Sequence, residues 1–300
     1  MGDVTADYLA LRREVGARVA PRDVLRVRGT DAVTFLQGQL SADVAALAEG
    51  DHCWSLLLEP QGKVDAWLRV WRTGAEEMVL DVDGGWGERT SQRLHRFKLR
   101  VDATIEPLDW RCVALRGPAA ADVAADDGAA ELAGGVDWRG LPGRDLLGPS
   151  VAVPAGVAEV GPDAWTSVRV EQGWPEMGRE LDDTVIPAEA GQWLVDRSVS
   201  FTKGCYTGQE LVARVDSRGG NTPRHLRGVV LGTNVLPPEG AEVVADDTVR
   251  GTLTSVGESL DLRAPVALAL VHRSVEPGAA VSVRWPGGEA PATVRELPLL

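Results

Sequence analysis

Three hundred residues, 44% apolar and 25% charged, form an ordinary globular composition with room for two or three cores, since single cores stop growing near ~250–300 residues. A net charge of −13 opposes any general grip on nucleic acid or an anionic membrane, because both depend on neutralising phosphate. No stretch approaches the ~18 apolar residues of a membrane span, and three widely spaced cysteines without a Cys-x-x-Cys or Cys/His pattern argue for reduced thiols and no metal centre.

Residues 8–20 carry an amphipathic helical pattern and read as a helix rather than a secretion leader, so a cytoplasmic location is expected. Residues 24–28 read as a strand ending at Gly29. Thr30 and Asp31 suit the cap of a helix whose buried stripe is Phe35, Leu36 and Leu40. Two apolar runs, 53–59 and 64–71, flank Pro60-Gln61-Gly62-Lys63, where proline and a left-handed glycine predict a hairpin turn. A strand at 78–82, a helix at 86–97 and a strand at 101–107 follow. Residues 111–115 read as a strand, and an alanine-rich helix is expected from 117 to 132. Next come a hairpin at 138–147, a helix with proline near its start at 162–170 and a short helix at 208–217. Beyond residue 225 the pattern changes. Short β-type runs at 226–231, 242–244, 252–256, 266–271 and 281–285 alternate with Pro/Gly clusters, as in a small barrel or sandwich. The boundary is placed there: residues 1–225 as one body, 226–300 as a β-rich barrel domain.

The chemically densest stretch is Lys203-Gly204-Cys205-Tyr206-Thr207-Gly208-Gln209-Glu210. It gathers an ammonium, a thiol, a phenol, an amide and a carboxylate around two glycines. A thiol beside a lysine and ahead of a helix start is favoured as thiolate. Such a group can serve as a nucleophile, a redox switch or a single ligand to an exchangeable cluster. It cannot alone hold an iron–sulfur centre, which normally takes four protein ligands. The bland alternative is a small buried hydrophobe in a tight turn. Lysine is scarce here: of 31 basic residues only Lys63, Lys98 and Lys203 are not arginine. Where lysine survives, its compact ammonium is what the position asks for.

Charge also concentrates locally. Lys203, Arg214, Arg218, Arg224 and Arg227 outweigh Glu210 and Asp216, a net +3 within a chain of −13. That suits a carboxylate-bearing ligand or an acidic patch on a partner. No phosphate-binding glycine loop of the Rossmann or Walker type and no Gly-x-Ser-x-Gly elbow occurs.

These motifs resemble the YgfZ family of folate-binding proteins, within the aminomethyltransferase-like (glycine-cleavage T-protein) superfamily. The resemblance is carried by the cysteine string with Val212-Ala213-Arg214, by residues 24–44, by Pro60-Gln61-Gly62-Lys63-Val64, by residues 169–180 and by Ile186-Pro187-Ala188-Glu189-Ala190-Gly191. Only the N-terminal stretch is unmatched. The resemblance implies an α+β aminomethyltransferase folate-binding-like fold with a C-terminal β-barrel-like domain. It implies tetrahydrofolate or a derivative as cofactor, with Glu171 holding the pterin through its amino group and adjacent N–H. Trp174 is the candidate for ring stacking. Tyr206, Gln209, Glu210, Arg214, Lys63 and Asp65 complete the expected ligand site, and Cys205 with Lys203 is the expected reactive pair. The implied role is an accessory protein in iron–sulfur cluster assembly or repair, whose partners are client or assembly proteins rather than nucleic acid or membrane.

One departure matters. In the T-proteins the hairpin resembles Gly-Gly-x-x-Asp-Asp, and an aspartate of that pair is linked to catalysis. Here only Asp65 matches, with Ala66 in the second position. This counts against folate-dependent aminomethyl transfer, which stands as the alternative. A non-catalytic module that docks a partner through its cysteine loop is the third reading.

Overall fold

The computed structural model describes residues 3–123 and 129–300. The chain forms an α+β fold of two compact units, each built from separated segments. The first takes Met1–Ala20, Arg111–Pro175 and Pro223–Leu300; the second takes Pro21–Trp110 and Glu176–Thr222.

In the first unit, helix α1 (Val4–Arg13) precedes strand β1 (Gly16–Ala20). The expected single helix through residue 20 therefore stops at Arg13. Residues 16–20 pair antiparallel with β7 (Arg111–Arg116), Gly16 opposite Arg116 and Ala20 opposite Cys112. Ala17 joins a core cluster with Val113 and Leu115, so ladder pairing and burial override the helical pattern. The sheet is completed by β8 (Leu132–Trp138), β9 (Leu141–Gly148) and β10 (Ala158–Glu159), in the order β10-β1-β7-β9-β8.

The expected alanine-rich helix at 117–132 is corrected at both described ends. Residues 117–123 are turn and bend, and Leu132 opens β8; residues 124–128 lie outside the described residues. Strand β8 buries every second residue, Gly134, Val136 and Trp138, which is the period of a half-covered strand. Helix α4 (Pro162–Gln172) starts on its proline and closes at Gly173.

The rest of this unit is a closed six-stranded barrel: β11 (Arg224–Leu231), β12 (Glu242–Ala245), β13 (Thr248–Ser259), β14 (Ala264–His272), β15 (Ala280–Trp285) and β16 (Gly288–Arg295). Val229, Val243, Leu253, Ala269, Val283 and Val294 fill it. The sequence pattern stops one strand short. Its last β-type run is 281–285, before a Pro/Gly cluster at 286–288. Strand β16 nonetheless closes the barrel by pairing with both β15 and β11.

In the second unit, β2 (Arg22–Arg28), β3 (His52–Leu58), β4 (Val64–Gly74), β5 (Glu77–Asp83) and β6 (Thr104–Leu108) form a sheet in the order β3-β4-β5-β2-β6. Helices α2 (Ala32–Gln39) and α3 (Gly87–Phe97) cover one face. Ala66, Leu68 and Val70 of β4 point into that core with Phe35, Leu36, Leu40 and Leu94. By the period of two, Asp65, Trp67, Arg69 and Trp71 take the opposite face. The expected side-chain cap of α2 is not made. Thr30 Oγ1 donates to Asp102 Oδ2 and Asp31 Oδ2 accepts from the Asp102 amide, so both polar groups tie down the segment entering β6 instead. Helices α5 (Gln192–Ser198) and α6 (Gln209–Asp216) complete the unit.

Candidate functional site

The cysteine loop lies in the second unit, between α5 and α6. Cys205 is exposed. Tyr206 is buried, and burial pushes its phenol up to about 12. Gln209 faces its own loop: its Oε1 accepts from the Tyr206 amide at 3.1 Å. Glu210 and Arg214 are exposed on α6. Lys203 Nζ donates to the carbonyls of Gln37, Leu40 and Ala42 at 2.6, 2.6 and 2.9 Å. Burial lowers its ammonium to about 8, with Asp43 and Cys53 pulling the other way.

The hairpin turn packs against this loop. A Cβ on Gly62 would stand 2.5 Å from Leu211 Cβ, and one on Gly208 would stand 2.6 Å from the Glu59 carbonyl oxygen. Both glycines also have left-handed backbone, φ +79° and +83°. Any side chain at either position would separate the turn from the loop. Lys63 is exposed beside this contact, and Asp65 is 2% exposed. The Asp65 carboxylate is taken by two guanidiniums, Arg89 Nε at 2.7 Å from Oδ1 and Arg93 Nε at 3.4 Å from Oδ2.

Glu171 and Trp174 belong to the first unit. Glu171 is fully buried on α4. Tyr8 Oη on α1 donates to its Oε1 at 2.6 Å, and Arg12 Nε lies 3.9 Å from Oε2. Among the described residues Oε2 makes no hydrogen bond of normal geometry. Burial raises the carboxyl above its ordinary value, opposed by the Ser259 and Tyr8 hydroxyls and by Arg12. Trp174 is 6% exposed, and its ring stacks on Trp138 at 5.9 Å. Trp138 meets Trp165 edge-on at 4.9 Å, with the Arg116 guanidinium 4.5 Å above its centroid. The stacking capacity of Trp174 thus engages a neighbouring indole. The basic cluster read from sequence divides: Lys203, Arg214 and Arg218 lie in the second unit, Arg224 and Arg227 in the first.

Sequence reasoning missed three features. Tyr8 and Arg12 bear on a carboxylate more than 150 positions away, which leaves no local signal. Arg89 and Arg93 carry only ordinary helical charge spacing. The third is a buried network on the far face of the second sheet. Asp81 accepts from Arg22 Nη2 at 2.5 Å, Arg69 Nη2 at 3.0 Å and Trp71 Nε1 at 2.5 Å. Burial pushes Asp81 up, and Arg69 and Arg22 more than offset it, holding it at about 2.

Comparison with known proteins bears on both units. Residues 224–300 match the glycine cleavage T-protein C-terminal barrel domain. The chain is 28% identical to the tRNA-modifying protein YgfZ of Cronobacter sakazakii, over 91% of this chain and 89% of that protein. It is 28% identical to an aminomethyltransferase of Thermus thermophilus, over 99% and 90% respectively. The crystal structure of the glycine cleavage system aminomethyltransferase T from Bartonella henselae superposes with a TM-score of 0.84 at 21% identity, covering 99% of this chain and 89% of that one.

Proposed function

The chain belongs to the family that unites YgfZ with the glycine-cleavage T-proteins, and on that premise we propose that it binds tetrahydrofolate or a derivative and assists iron–sulfur cluster assembly or repair. The observation that carries the folate reading is the Glu171 carboxylate. It is fully buried, one oxygen accepts from Tyr8, and the other makes no hydrogen bond of normal geometry among the described residues, although the Ser259 hydroxyl stands near the carboxylate. A buried acceptor without a donor costs about 1–3 kcal/mol. The amino group and adjacent ring N–H of a pterin are donors of the kind that oxygen lacks. In this reading Glu171 orients the ring, and exposed Cys205 supplies the thiol that meets client or assembly proteins. The YgfZ relatives are described as tRNA-modifying. With a net charge of −13, this chain serves such a process through protein partners rather than by gripping RNA.

Anaerobic calorimetric titration with tetrahydrofolate tests the ligand. Saturable binding, weakened at least ~10-fold in Glu171→Gln by loss of a charged acceptor, is expected. No saturation in wild type, or unchanged affinity in the variant, overturns it. For the cellular role, a strain carrying Cys205→Ala is expected to lose iron–sulfur enzyme activity under oxidative stress. Normal cluster enzymes in that strain remove the assignment.

Aminomethyl transfer is the second reading, favoured by the aminomethyltransferase relative that spans nearly the whole chain. The two guanidiniums on Asp65 weigh against it, because they compete for the carboxylate a catalytic step would use. Turnover of an aminomethyl donor that disappears in Asp65→Asn would favour transfer.

A further inference from the structure

Lys203 stands two residues before Cys205, yet its donors are all engaged elsewhere. An ammonium has three protons. Nζ has three acceptors within 2.9 Å: the carbonyls of Gln37, Leu40 and Ala42. Two of these belong to the end of α2 and its C-cap, where helical carbonyls lack intrahelical donors and carry partial negative charge. The same segment receives the loop's backbone. Ser200 N donates to Ser41 O at 2.9 Å, and Thr207 N to Gly38 O at 3.3 Å. Ser41 is itself fixed, since its Oγ donates to the Ser198 carbonyl and accepts from the Leu56 amide. The Tyr206 ring centroid lies 5.2 Å from Nζ.

We propose that Lys203 is a positioning residue, a three-pronged strut from the cysteine loop to the end of α2 that fixes the backbone presenting the Cys205 thiol. The proposal takes from the functional reading only that Cys205 is a working thiol; the strut does not depend on folate. It accounts for a lysine at this position in a chain that has only two others among 31 basic residues. A guanidinium spreads its donors in a plane, whereas three carbonyls converging on one nitrogen need a tetrahedral ammonium.

The test uses full-length protein labelled with 15N-lysine, in which only Lys63, Lys98 and Lys203 can give ammonium signals. One signal is expected in slow exchange with water and absent from Lys203→Arg. Iodoacetamide modification of Cys205, followed by mass spectrometry of its peptide, is expected to change at least ~10-fold in both Lys203→Met and Lys203→Arg. The Ser200 and Thr207 amides are expected to exchange at least ~10-fold faster, reflecting loss of charge-assisted hydrogen bonds, with barrel amides at 266–271 unchanged. Wild-type Cys205 rates and amide protection in Lys203→Met overturn the proposal. So does full rescue by arginine, which would mean that charge alone suffices. If Lys203→Met does not fold, Lys203→Arg carries the same readouts. Wild-type protein that shows the protected ammonium but fails to bind tetrahydrofolate removes the folate reading and leaves the strut intact.

Discussion

The Tyr8 hydroxyl and the Glu171 carboxylate meet at 2.6 Å across 163 positions of sequence, joining α1 to α4 inside a fully buried site. Tyr8→Phe removes only that donor. The variant is expected to lose about 1–3 kcal/mol, the cost of leaving a buried acceptor unpaired. Urea denaturation measures it. A variant as stable as wild type means that the two groups do not meet.

The raised carboxyl of Glu171 sets a pH dependence with a definite sign. In the unfolded chain the group ionises near its ordinary value of 4.5; in the folded protein it holds its proton to higher pH. The folded state therefore binds more protons across that window. The group's contribution is fully present below 4.5 and is lost as pH rises through the folded value. Glu171→Gln should flatten this part of the profile of urea midpoint against pH. Parallel profiles for the two proteins would refute the assignment.

Asp81 behaves in the opposite sense. Its folded value of about 2 lies below the usual 3.8, so its contribution is present above 3.8 and lost as pH falls through about 2. Asp81→Asn removes the carboxylate charge that pairs with the fully buried Arg69 guanidinium. The expected cost at neutral pH is about 3–5 kcal/mol, as for other broken buried pairs. The variant should also lose this part of the acid transition. Thermal melts from pH 2 to 7 read both.

Lys203 adds a slope in the alkaline range. Its ammonium releases its proton at about 8 when folded and at 10.5 when not. Between those values the unfolded chain holds the extra proton, so stability rises with pH. The fold keeps a half-buried ammonium at a cost, as expected where geometry serves a site. Lys203→Met should abolish the rise between pH 8 and 10.5; a rise that persists assigns it to another group.

Gly208→Ala forces a side chain onto left-handed backbone and against the Glu59 carbonyl. A loss of about 1–3 kcal/mol is expected, together with faster alkylation of Cys205 as turn and loop separate. Wild-type stability in this variant would mean that the contact yields freely.

Much of the architecture is legible in linear order because it follows local rules. The β3–β4 hairpin is announced by Pro60 and Gly62 between apolar runs, α4 by Pro162 and Gly173, and α6 by the glycine before it. The barrel shows as short runs between Pro/Gly clusters. Reading fails where partners are remote. Residues 16–20 pattern as helix until β7 offers them a ladder, and β16 hides behind the Pro/Gly cluster at 286–288 until β11 and β15 close around it.

The chemistry divides in the same way. Residue types and spacing single out Cys205 and Lys203 as chemically loaded positions, and the family resemblance adds Glu171. Their environments depend on packing: an exposed thiol, an ammonium committed to the end of α2, a carboxylate whose one oxygen accepts from Tyr8 while the other makes no hydrogen bond of normal geometry among the described residues. Local propensity and turn chemistry act over a few neighbours and can be read along the chain. Burial, charge pairing and hydrogen-bond satisfaction act between segments that meet only on folding, and those set what each group can do.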